Sequence, residues 1–362
     1  MGIKLNDLVH VEPIDASELA GAIIAIDAPN LIPSLFSFSH KQMNHSKFFF
    51  DSTQKPFFHL YGILYRVKFY YSKKILPIFC FDGIDSELKK HFTTDRLHDY
   101  RFYEKWHKSA LASGDLQKAR RIGLNPNFLW SNIINESKQL LGALGVPYLN
   151  SPASAESQCA ELVKQSIAKY SNSQDYDSLL FGCPKVVRNL SKSLKRKIKG
   201  RWMYNKIQPE LIDLKTTLKS LGINQYQLID MALLIGTDYF SGIKNIGSKT
   251  AWKLIRVHKT LENVLKNMKN KFDFSSLTPD IIKKVREIFF FPDVLKHPTE
   301  FHWDPPVESL VKQLMCQEHS LNLEKVKNNI DKTTNYYYDA IKFCSQNLNK
   351  SRSSQRTLFD ML

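Results

Sequence analysis

Short apolar runs, separated by longer stretches with helical periodicity, recur through the first half of this chain. Residues 22–26 and 76–81 are two such runs. Residues 146–149 form a third, and residues 185–188 form a fourth. Strands that alternate with helices usually lie parallel in one sheet, because each helix carries the chain back across it. The pattern therefore predicts an α/β fold with a central, mostly parallel sheet flanked by helices.

Acidic residues follow these predicted strands at the end where a parallel sheet binds its ligands. Asp27 and Asp82 come directly after the first two runs, and two more acids follow a short polar strand near residue 170. Another lies in the first turn of the helix after the third strand, and another ends the helix that begins near residue 225. The six acids predicted to meet at this edge are Asp27, Asp82, Glu156, Asp175, Asp177 and Asp238.

Carboxylates gathered at one edge predict a site for divalent metal ions, because like charges repel unless cations neutralise them. Hard oxygen ligands suit Mg²⁺ or Mn²⁺, and two such ions about 4 Å apart can activate water and stabilise the leaving oxygen of a phosphodiester. A single Asp after a strand is more often a helix cap or a turn residue. Six acids at one edge are harder to explain in that way, so we predict a two-metal site that hydrolyses nucleic acid.

The charge balance of the chain indicates a polyanionic partner. The 362 residues include 51 Lys and Arg against 35 Asp and Glu, which gives a formal net charge of +16. A well-solvated basic surface is the plainer explanation, but clustered cations release condensed counterions when they meet phosphates. The densest basic run, residues 192–201, is predicted to be a solvated loop, with phosphate contact or a nuclear-import signal as alternatives.

Signals for a membrane or an oxidising compartment are missing from the sequence. It contains no run of about 18 apolar residues and no signal-peptide core at its start. The 5 cysteines are scattered without paired spacing, so they are predicted to be reduced core residues. We expect an intracellular monomer with no membrane partner, in the cytoplasm or nucleoid of an archaeon or the nucleus of a eukaryote.

Four sequence blocks resemble the flap endonuclease family, which belongs with the excision-repair nuclease to a wider group of five-prime nucleases. The blocks are residues 24–28, 81–83, 173–182 and 236–247. They occur in family order within residues 1–330. The resemblance implies a PIN-like nuclease fold with a helical arch at about 85–130 and a helix-two-turn-helix DNA-binding element at about 225–257. The nuclease domain is expected to span residues 1–344, with an N-terminal region at about 1–104 and an internal region at about 125–260.

The resemblance carries the metal-ligand role onto the same six acids and adds residues that contact DNA. Lys89 and Arg96 lie seven residues apart in a helical stretch and resemble the basic pair that contacts the scissile phosphate. The residues implied to bind DNA elsewhere are Gly2, Arg66, Gly247, Ser248 and Lys249. The last three open a helix whose backbone N–H groups suit a phosphate, and in the family this turn also holds a K⁺ ion.

Two positions depart from the family pattern. The family usually has Glu where this chain has Ser154, and Ser is a weaker metal ligand and a good helix N-cap. One metal is therefore expected to bind more weakly, with a greater need for Mg²⁺, a preference for Mn²⁺ or low activity. Pro33 stands where the family commonly has a Tyr that stacks on a base, which Pro cannot do.

The end of the chain resembles the box that binds a sliding clamp such as PCNA. Residues 345–354 are polar and are predicted to be a flexible tether within a tail at 345–362. One helical turn of the box would fill a polar and a hydrophobic pocket of the clamp. The residues implied to do so are Gln355, Leu358, Met361 and Leu362.

The resemblance implies a five-prime flap endonuclease with five-prime exonuclease activity, acting in Okazaki fragment maturation and DNA repair. Two alternatives remain open from the sequence. One is a related exonuclease or junction nuclease of the same superfamily. The other is a clamp-associated protein that binds DNA structures with weakened catalysis, which Ser154 and Pro33 would favour.

Overall fold

The computed structural model of the protein describes residues 3–40, 50–83, 96–190, 193–198, 201–298 and 300–359. Its strands are β1 (Glu12–Pro13), β2 (Ile23–Asp27), β3 (Leu76–Phe81), β4 (Tyr148–Asn150), β5 (Tyr170–Asn172), β6 (Lys185–Arg188), β7 (Ser193–Ile198), β8 (Arg201–Lys206) and β9 (Glu210–Asp213). Seven of them form one sheet in the order β1-β9-β6-β5-β2-β3-β4, and β7 and β8 form a separate hairpin.

The large sheet is mostly parallel, as the sequence predicts. β2 pairs in parallel with β3 and β5, β3 pairs with β4, and β5 pairs with β6. β9 instead runs antiparallel to β6, and β1 runs antiparallel to β9. Sequence reasoning missed these two strands, because β1 has only 2 residues and β9 begins and ends with the acids Glu210 and Asp213, which strands seldom favour.

Helices cover both faces of the sheet. Those of the first half are α1 (Ala28–His40), α2 (Phe58–Ser72), α3 (Arg96–Ala112), α4 (Leu116–Gly123), α5 (Pro126–Ala143), α6 (Ala155–Lys164) and α7 (Asp177–Leu180). Those of the second half are α8 (Leu214–Leu221), α9 (Gln225–Ile235), α10 (Ser248–His258), α11 (Leu261–Met268), α12 (Pro279–Phe290), α13 (Glu308–Lys312) and α14 (Leu323–Phe359). A 3-10 turn at Ala16–Leu19 and a π-helical turn at Gln313–Glu318 complete the helical elements of the described ranges.

Side chains that alternate along the central strands fill two hydrophobic cores, one on each face of the sheet. On β2, Ala25 packs into the core that includes α6, α7 and α9 to α12. Its neighbours Ile24 and Ile26 pack into the core that includes α1, α2, α5 and α14. On β3, Ile78 and Phe79 divide in the same way. This alternation with a period of two holds the carboxyl ends of the strands between two packed layers.

Helices α3 and α4 form a hairpin between β3 and α5, in the region predicted to be the arch. The hairpin turns at Gly114, where a φ of 74° favours glycine. Near its base, Ile122 of α4 packs with Phe128 of α5. Residues 96–123, within the region predicted to be a helical arch, thus form two helices joined by a short turn.

The helix pair predicted near residues 225–257 is confirmed as α9 and α10. The turn between them needs glycine at two places, because Gly236 has a φ of 113° and Gly242 a φ of 77°. A Cβ atom on Gly242 would also lie 2.3 Å from the carbonyl oxygen of Ile235. The chain therefore reverses tightly before Gly247, which is the N-cap residue of α10.

Two stretches predicted to be irregular contain regular structure in their described residues. Residues 345–354, predicted to be a flexible tether, continue helix α14, because neither Pro nor Gly interrupts them and a packed helix propagates readily. The basic run at residues 192–201, predicted to be a solvated loop, contributes β7 and the first residue of β8. In that hairpin the strand-forming residues Trp202 and Tyr204 pair with Lys197 and Lys195, a relation that the basic run alone does not reveal.

All five cysteines are free, and four of them are buried while Cys316 is half-buried. Among the described helices, none combines the length and the apolar character that a membrane span requires.

Candidate active site

Asp27 is the most deeply buried of the six predicted acids. It is the last residue of β2 and is 1% exposed. Its carboxylate accepts hydrogen bonds from Ser173 Oγ at 2.9 Å and from the backbone N–H of Asn30 at 3.2 Å. Burial, followed by the negative charge of Asp82, raises the pKa of Asp27 to about 7. Such a carboxylate has a strong electrostatic reason to bind a cation.

Asp82 follows β3 and contacts the N-terminus of α6. Its Oδ1 accepts a hydrogen bond of 2.8 Å from the backbone N–H of Ala155, the first residue of that helix. Gly83 beside it has no room for a side chain, because a Cβ atom would lie 1.8 Å from the carbonyl oxygen of Ser151. The loop before α6 therefore lies directly on the turn that carries Asp82. Glu156 follows Ala155 in the first turn of α6, so it belongs to the same edge of the sheet.

Asp175 and Asp177 stand on the turn between β5 and α7. Asn30 Nδ2 donates a hydrogen bond of 2.8 Å to Asp175 Oδ2, which ties this turn to the start of α1. Asp177 Oδ1 accepts a hydrogen bond of 2.8 Å from the backbone N–H of Ile3. Burial raises the pKa of Asp177 to about 6, and the charge of Asp238 adds to the rise against the opposing Ile3 hydrogen bond.

Arg188 of β6 holds the backbone of the same turn. Its Nε donates a hydrogen bond of 3.0 Å to the carbonyl oxygen of Gln174. Its guanidinium lies 4.3 Å from the ring centroid of Tyr176 and also donates to the Tyr176 hydroxyl. Glu210 of β9 lies 3.7 Å from the guanidinium on another side. These contacts order the turn that presents the two acids.

Electrostatic interactions link five of the six acids, which we call the acidic row, and Glu156 joins them only through its position in the first turn of α6. Asp175 acts on the pKa of both Asp27 and Asp177, Asp82 acts on Asp27, and Asp238 acts on Asp177. Within the described ranges, no three His, Cys, Asp or Glu side chains lie close enough together to hold one ion directly. The potential donors are oxygen atoms only. Burial and neighbouring carboxylates disfavour the ionised forms of Asp27 and Asp177. This donor set fits hard divalent ions that keep part of their water shell.

Ser154, the doubtful ligand, is the N-cap residue of α6. Its hydroxyl accepts a hydrogen bond of 3.2 Å from the backbone N–H of Ser157 and lies 3.0 Å from the Ser157 hydroxyl. The side chain is 5% exposed. The helix-cap interpretation of this serine is therefore confirmed, and its oxygen is engaged by the helix.

The described residues predicted to bind DNA lie on two elements, helix α2 and the start of α10. Arg66 of α2 is half-buried and its Nη1 donates a hydrogen bond of 3.3 Å to the carbonyl oxygen of Leu190, while burial lowers its pKa. Gly247 caps α10, and Ser248 and Lys249 open that helix. Lys249 Nζ lies 3.2 Å from Asp7 Oδ2 in an exposed ion pair.

Several predicted residues are described only in part or not at all. Arg96 begins α3, and Gln355 and Leu358 belong to the last turns of α14. The predicted residues that lie outside the described ranges are Gly2, Lys89, Met361 and Leu362.

Three residues around the acids were missed by sequence reasoning. Asn30 could have been found, because α1 begins directly after Asp27 and position 30 is one helical turn later, ahead of Pro33 in the same helix. Ser173 was seen only as part of a sequence block. Arg188 ends a strand far along the chain, so no local pattern points to its contact with Gln174.

Comparison with known proteins relates this arrangement to one family. The XPG I-region family model matches residues 145–238. A flap endonuclease 1 of Methanosarcina barkeri is 34% identical over 334 residues, which cover 92% of this chain and 95% of that protein.

Solved structures give the same relation for the fold. The flap endonuclease-1 from Methanococcus jannaschii matches with a TM-score of 0.68 and 24% identity, over 93% of this chain and 99% of that chain. The catalytic core of Rad2 in complex with DNA substrate matches with a TM-score of 0.62 and 22% identity, over 88% of this chain and 94% of that chain. The predicted PIN-like nuclease fold is thus confirmed. Because similarity to a flap endonuclease extends along almost the whole chain, the protein belongs to the flap endonuclease family, whose members are divalent-metal-dependent, structure-specific nucleases.

Proposed function

We propose that this five-prime flap endonuclease hydrolyses DNA at the junction between flap and duplex with two divalent metal ions. The proposed ligands are the acids of the carboxyl edge: Asp27, Asp82, Glu156, Asp175, Asp177 and Asp238. The main support is the row of coupled carboxylates in which Asp175 acts on both neighbours. Mg²⁺ is the expected ion, and Mn²⁺ is expected to substitute for it.

The side chains around the proposed metal ions have separate tasks. Ions bound at this edge would supply the Lewis acidity and positive charge that phosphodiester hydrolysis needs. Asn30 and Ser173 orient the carboxylates of Asp175 and Asp27 through their hydrogen bonds. Lys89 and Arg96 are proposed to contact the scissile phosphate and to steady the charge that builds on its oxygens.

The DNA duplex is proposed to lie along the turn between α9 and α10. Backbone N–H groups of Gly247, Ser248 and Lys249 at the start of α10 suit a phosphate, and a K⁺ ion is proposed at the same turn. Gly2 and Arg66 are proposed as further DNA contacts. The α3–α4 hairpin is proposed as the arch that the free five-prime end passes.

The end of the chain is proposed to bind a sliding clamp. We divide the chain into a nuclease domain at residues 1–344 and a C-terminal segment at 345–362. The proposed clamp contacts are Gln355, Leu358, Met361 and Leu362. Through this contact the enzyme would act as a monomer in Okazaki fragment maturation and DNA repair, with five-prime exonuclease activity in addition to flap cleavage.

A second candidate function is favoured by Ser154. A serine offers no carboxylate to a metal ion, and the hydroxyl of this one caps α6. Weakened catalysis would leave a clamp-associated protein that binds DNA junctions. A junction nuclease of the same superfamily is the other alternative, and it differs in the substrate it prefers.

Cleavage of labelled DNA substrates tests the proposal. A five-prime flap, a three-prime flap, a four-way junction and a plain duplex would be incubated with Mg²⁺, Mn²⁺ or EDTA. Asp175→Ala is the site variant, and Asp293→Ala removes an exposed acid as the matched control. We expect metal-dependent cutting at the base of the five-prime flap that Asp175→Ala abolishes and Asp293→Ala retains.

Other outcomes would select the alternatives. Preferred cutting of the four-way junction would favour the junction nuclease. Tight junction binding without cleavage in either metal would favour the binding protein, and recovery of cleavage in Ser154→Glu would attribute that loss to the missing carboxylate.

A further inference from the structure

Four ionisable side chains outside the acidic row form a buried series of contacts. His319 Nδ1 lies 2.7 Å from Asp51 Oδ2, and His319 Nε2 lies 3.3 Å from Glu136 Oε1. The other oxygen of Glu136 lies 2.8 Å from His59 Nε2. The exposed fraction is 8% for Glu136 and smaller for the other three. We refer to Asp51, His319, Glu136 and His59 as the buried charge chain.

Within the buried charge chain, His319 and Glu136 carry opposite charges. Burial acts against a charged His319, but the adjacent carboxylates of Asp51 and Glu136 outweigh it and raise the pKa of His319 to about 9. Burial also acts against a charged Glu136, but its close contacts with the two histidines hold its pKa well below the ordinary value. Burial lowers the pKa of His59. Near neutral pH a cationic His319 therefore sits between two carboxylates.

Stability alone does not explain why these charged side chains are buried together. Removing ions from water costs several kcal/mol each, so a buried ion pair is often no more stabilising than apolar residues of the same size. What a buried network does specify is one arrangement of the segments that carry its members. Here those segments are the stretch before α2, helices α2 and α5, and the turn before α14.

The stretch at residues 50–55 connects the buried charge chain to the α3–α4 hairpin. The guanidinium of Arg120 lies 4.0 Å from the ring centroid of Phe50. A Cβ atom on Gly123 at the end of α4 would lie 2.9 Å from the carbonyl oxygen of Gln54, so the two backbones are in close contact. The hairpin thus rests on this stretch through both a side chain and the backbone.

The same stretch is fastened on its other side by the buried charge chain. Asp51 accepts hydrogen bonds of 2.8 Å from the backbone N–H of Lys55 and from Thr53 Oγ1, which close the turn. Its second oxygen meets His319, and Ser52 Oγ lies 3.1 Å from Ser320 Oγ. The turn that supports the hairpin is therefore bound to the segment that leads into α14.

Two further titratable groups face this region. Lys55 Nζ donates a hydrogen bond of 3.1 Å to Asn132 Oδ1, and Asn132 Nδ2 donates one of 2.6 Å to Glu136. His107 of α3 is 2% exposed, and burial followed by the charge of Lys55 lowers its pKa. The 50–55 stretch and α5 therefore share one network of polar contacts with the buried charge chain, and His107 of the hairpin faces Lys55 of that network.

We propose that His319 and Glu136 are positioning residues that fix the α3–α4 hairpin, and that selectivity for a flap depends on them. The inference rests on the proposed passage of the flap past this hairpin. A displaced hairpin would leave the acids in place. It would misplace a flap that passes it, whereas a flapless five-prime end would be affected only through Arg96 at the start of α3. Small displacements far from the chemistry are costly when they disturb the placement of a substrate.

Comparison of matched variants tests the proposal. His319→Gln, Glu136→Gln and Asp51→Asn each break the buried charge chain. Asp51→Asn combined with His319→Gln removes one pair together, and His302→Gln changes an exposed histidine as the control. Cleavage of a five-prime flap is compared with removal of the recessed five-prime end of a flapless duplex. Hydrogen exchange is followed in α3–α4 and in β2–β3 of the same full-length proteins.

We expect the single variants to lower the ratio of flap to flapless kcat/KM by about tenfold and to speed exchange in α3–α4 with β2–β3 unchanged. The double variant should cost less than the sum of its single changes, because the two residues act as a pair. The control should match the wild type.

Three results would overturn the positioning role: equal loss on both substrates, exchange that rises equally in hairpin and sheet, or the same effect from His302→Gln. A wild type that cuts no flap would instead refute the proposed function, and the exchange comparison would still decide whether the buried charge chain fixes the hairpin.

Discussion

Asp27→Asn should stabilise the metal-free protein while it abolishes cleavage. Asp27 is 1% exposed, and burial followed by repulsion from Asp82 raises its pKa to about 7 from an ordinary 3.8. The folded state therefore binds the proton more tightly than the unfolded state does, and ionisation of Asp27 lowers stability. The loss is complete above pH 7 and disappears as the pH falls to 3.8. At about 1.4 kcal/mol for each pH unit, it amounts to at most roughly 4 kcal/mol.

Urea unfolding at pH 8 in EDTA measures this effect. We expect Asp27→Asn to raise the free energy of unfolding by at least about 1 kcal/mol, with Asp293→Asn as an exposed control near zero. Saturating Mg²⁺ should reverse the order, because only the wild type keeps the full ligand set and gains stability from binding. A variant that is less stable than the wild type in EDTA, or a gap that persists at pH 4, would refute the reasoning.

Three further predictions concern single contacts. Gly83→Ala should lower cleavage and cost about 2 kcal/mol or more in urea unfolding, because its Cβ would lie 1.8 Å from the carbonyl oxygen of Ser151. Arg286→Met should cost about 3 kcal/mol in the same assay, since it leaves the fully buried Asp230 without the guanidinium that bonds it at 2.6 Å. His319, with a pKa of about 9 against an ordinary 6.5, contributes stability that is complete below pH 6.5 and lost as the pH rises through 9. A pH series of unfolding free energies should fall across that window, and His319→Gln should flatten it.

The acidic row could be predicted from sequence because each acid has a local signal. Asp27 and Asp82 end apolar runs, and the alternation of strands and helices brings strand ends to one edge of the sheet. Even the weak, polar strand before Asp175 was placed correctly, since β5 ends at Asn172. For Asp27, Asp82 and Asp175 the position of the residue relative to its own strand was sufficient, whereas Glu156 lies in helix α6 and Asp238 follows helix α9.

Other features depend on contacts between distant segments and left no local signal. His59, Glu136 and His319 belong to three separate parts of the sequence, and each alone resembles an ordinary helix or loop residue. The antiparallel strand β9 is marked only by its pairing with β6. At Ser154 the family pattern indicates a ligand position, but the hydrogen bond to Ser157 identifies a helix cap.

Helix α14, the last helix of the chain, packs against helix α2 in the first quarter of the sequence. The ring of Tyr337 packs edge-on against Tyr71 of α2 with centroids 5.6 Å apart, and its hydroxyl donates a hydrogen bond of 2.7 Å to the carbonyl oxygen of Trp303. The helix has 37 residues, which at about 1.5 Å per residue make a rod roughly 55 Å long. If a sliding clamp binds the end of this helix, as proposed, the helix would fix the distance and the angle between the clamp and the acidic row. The enzyme would then reach a junction in a defined orientation, whereas a flexible segment of the same length would leave its orientation variable.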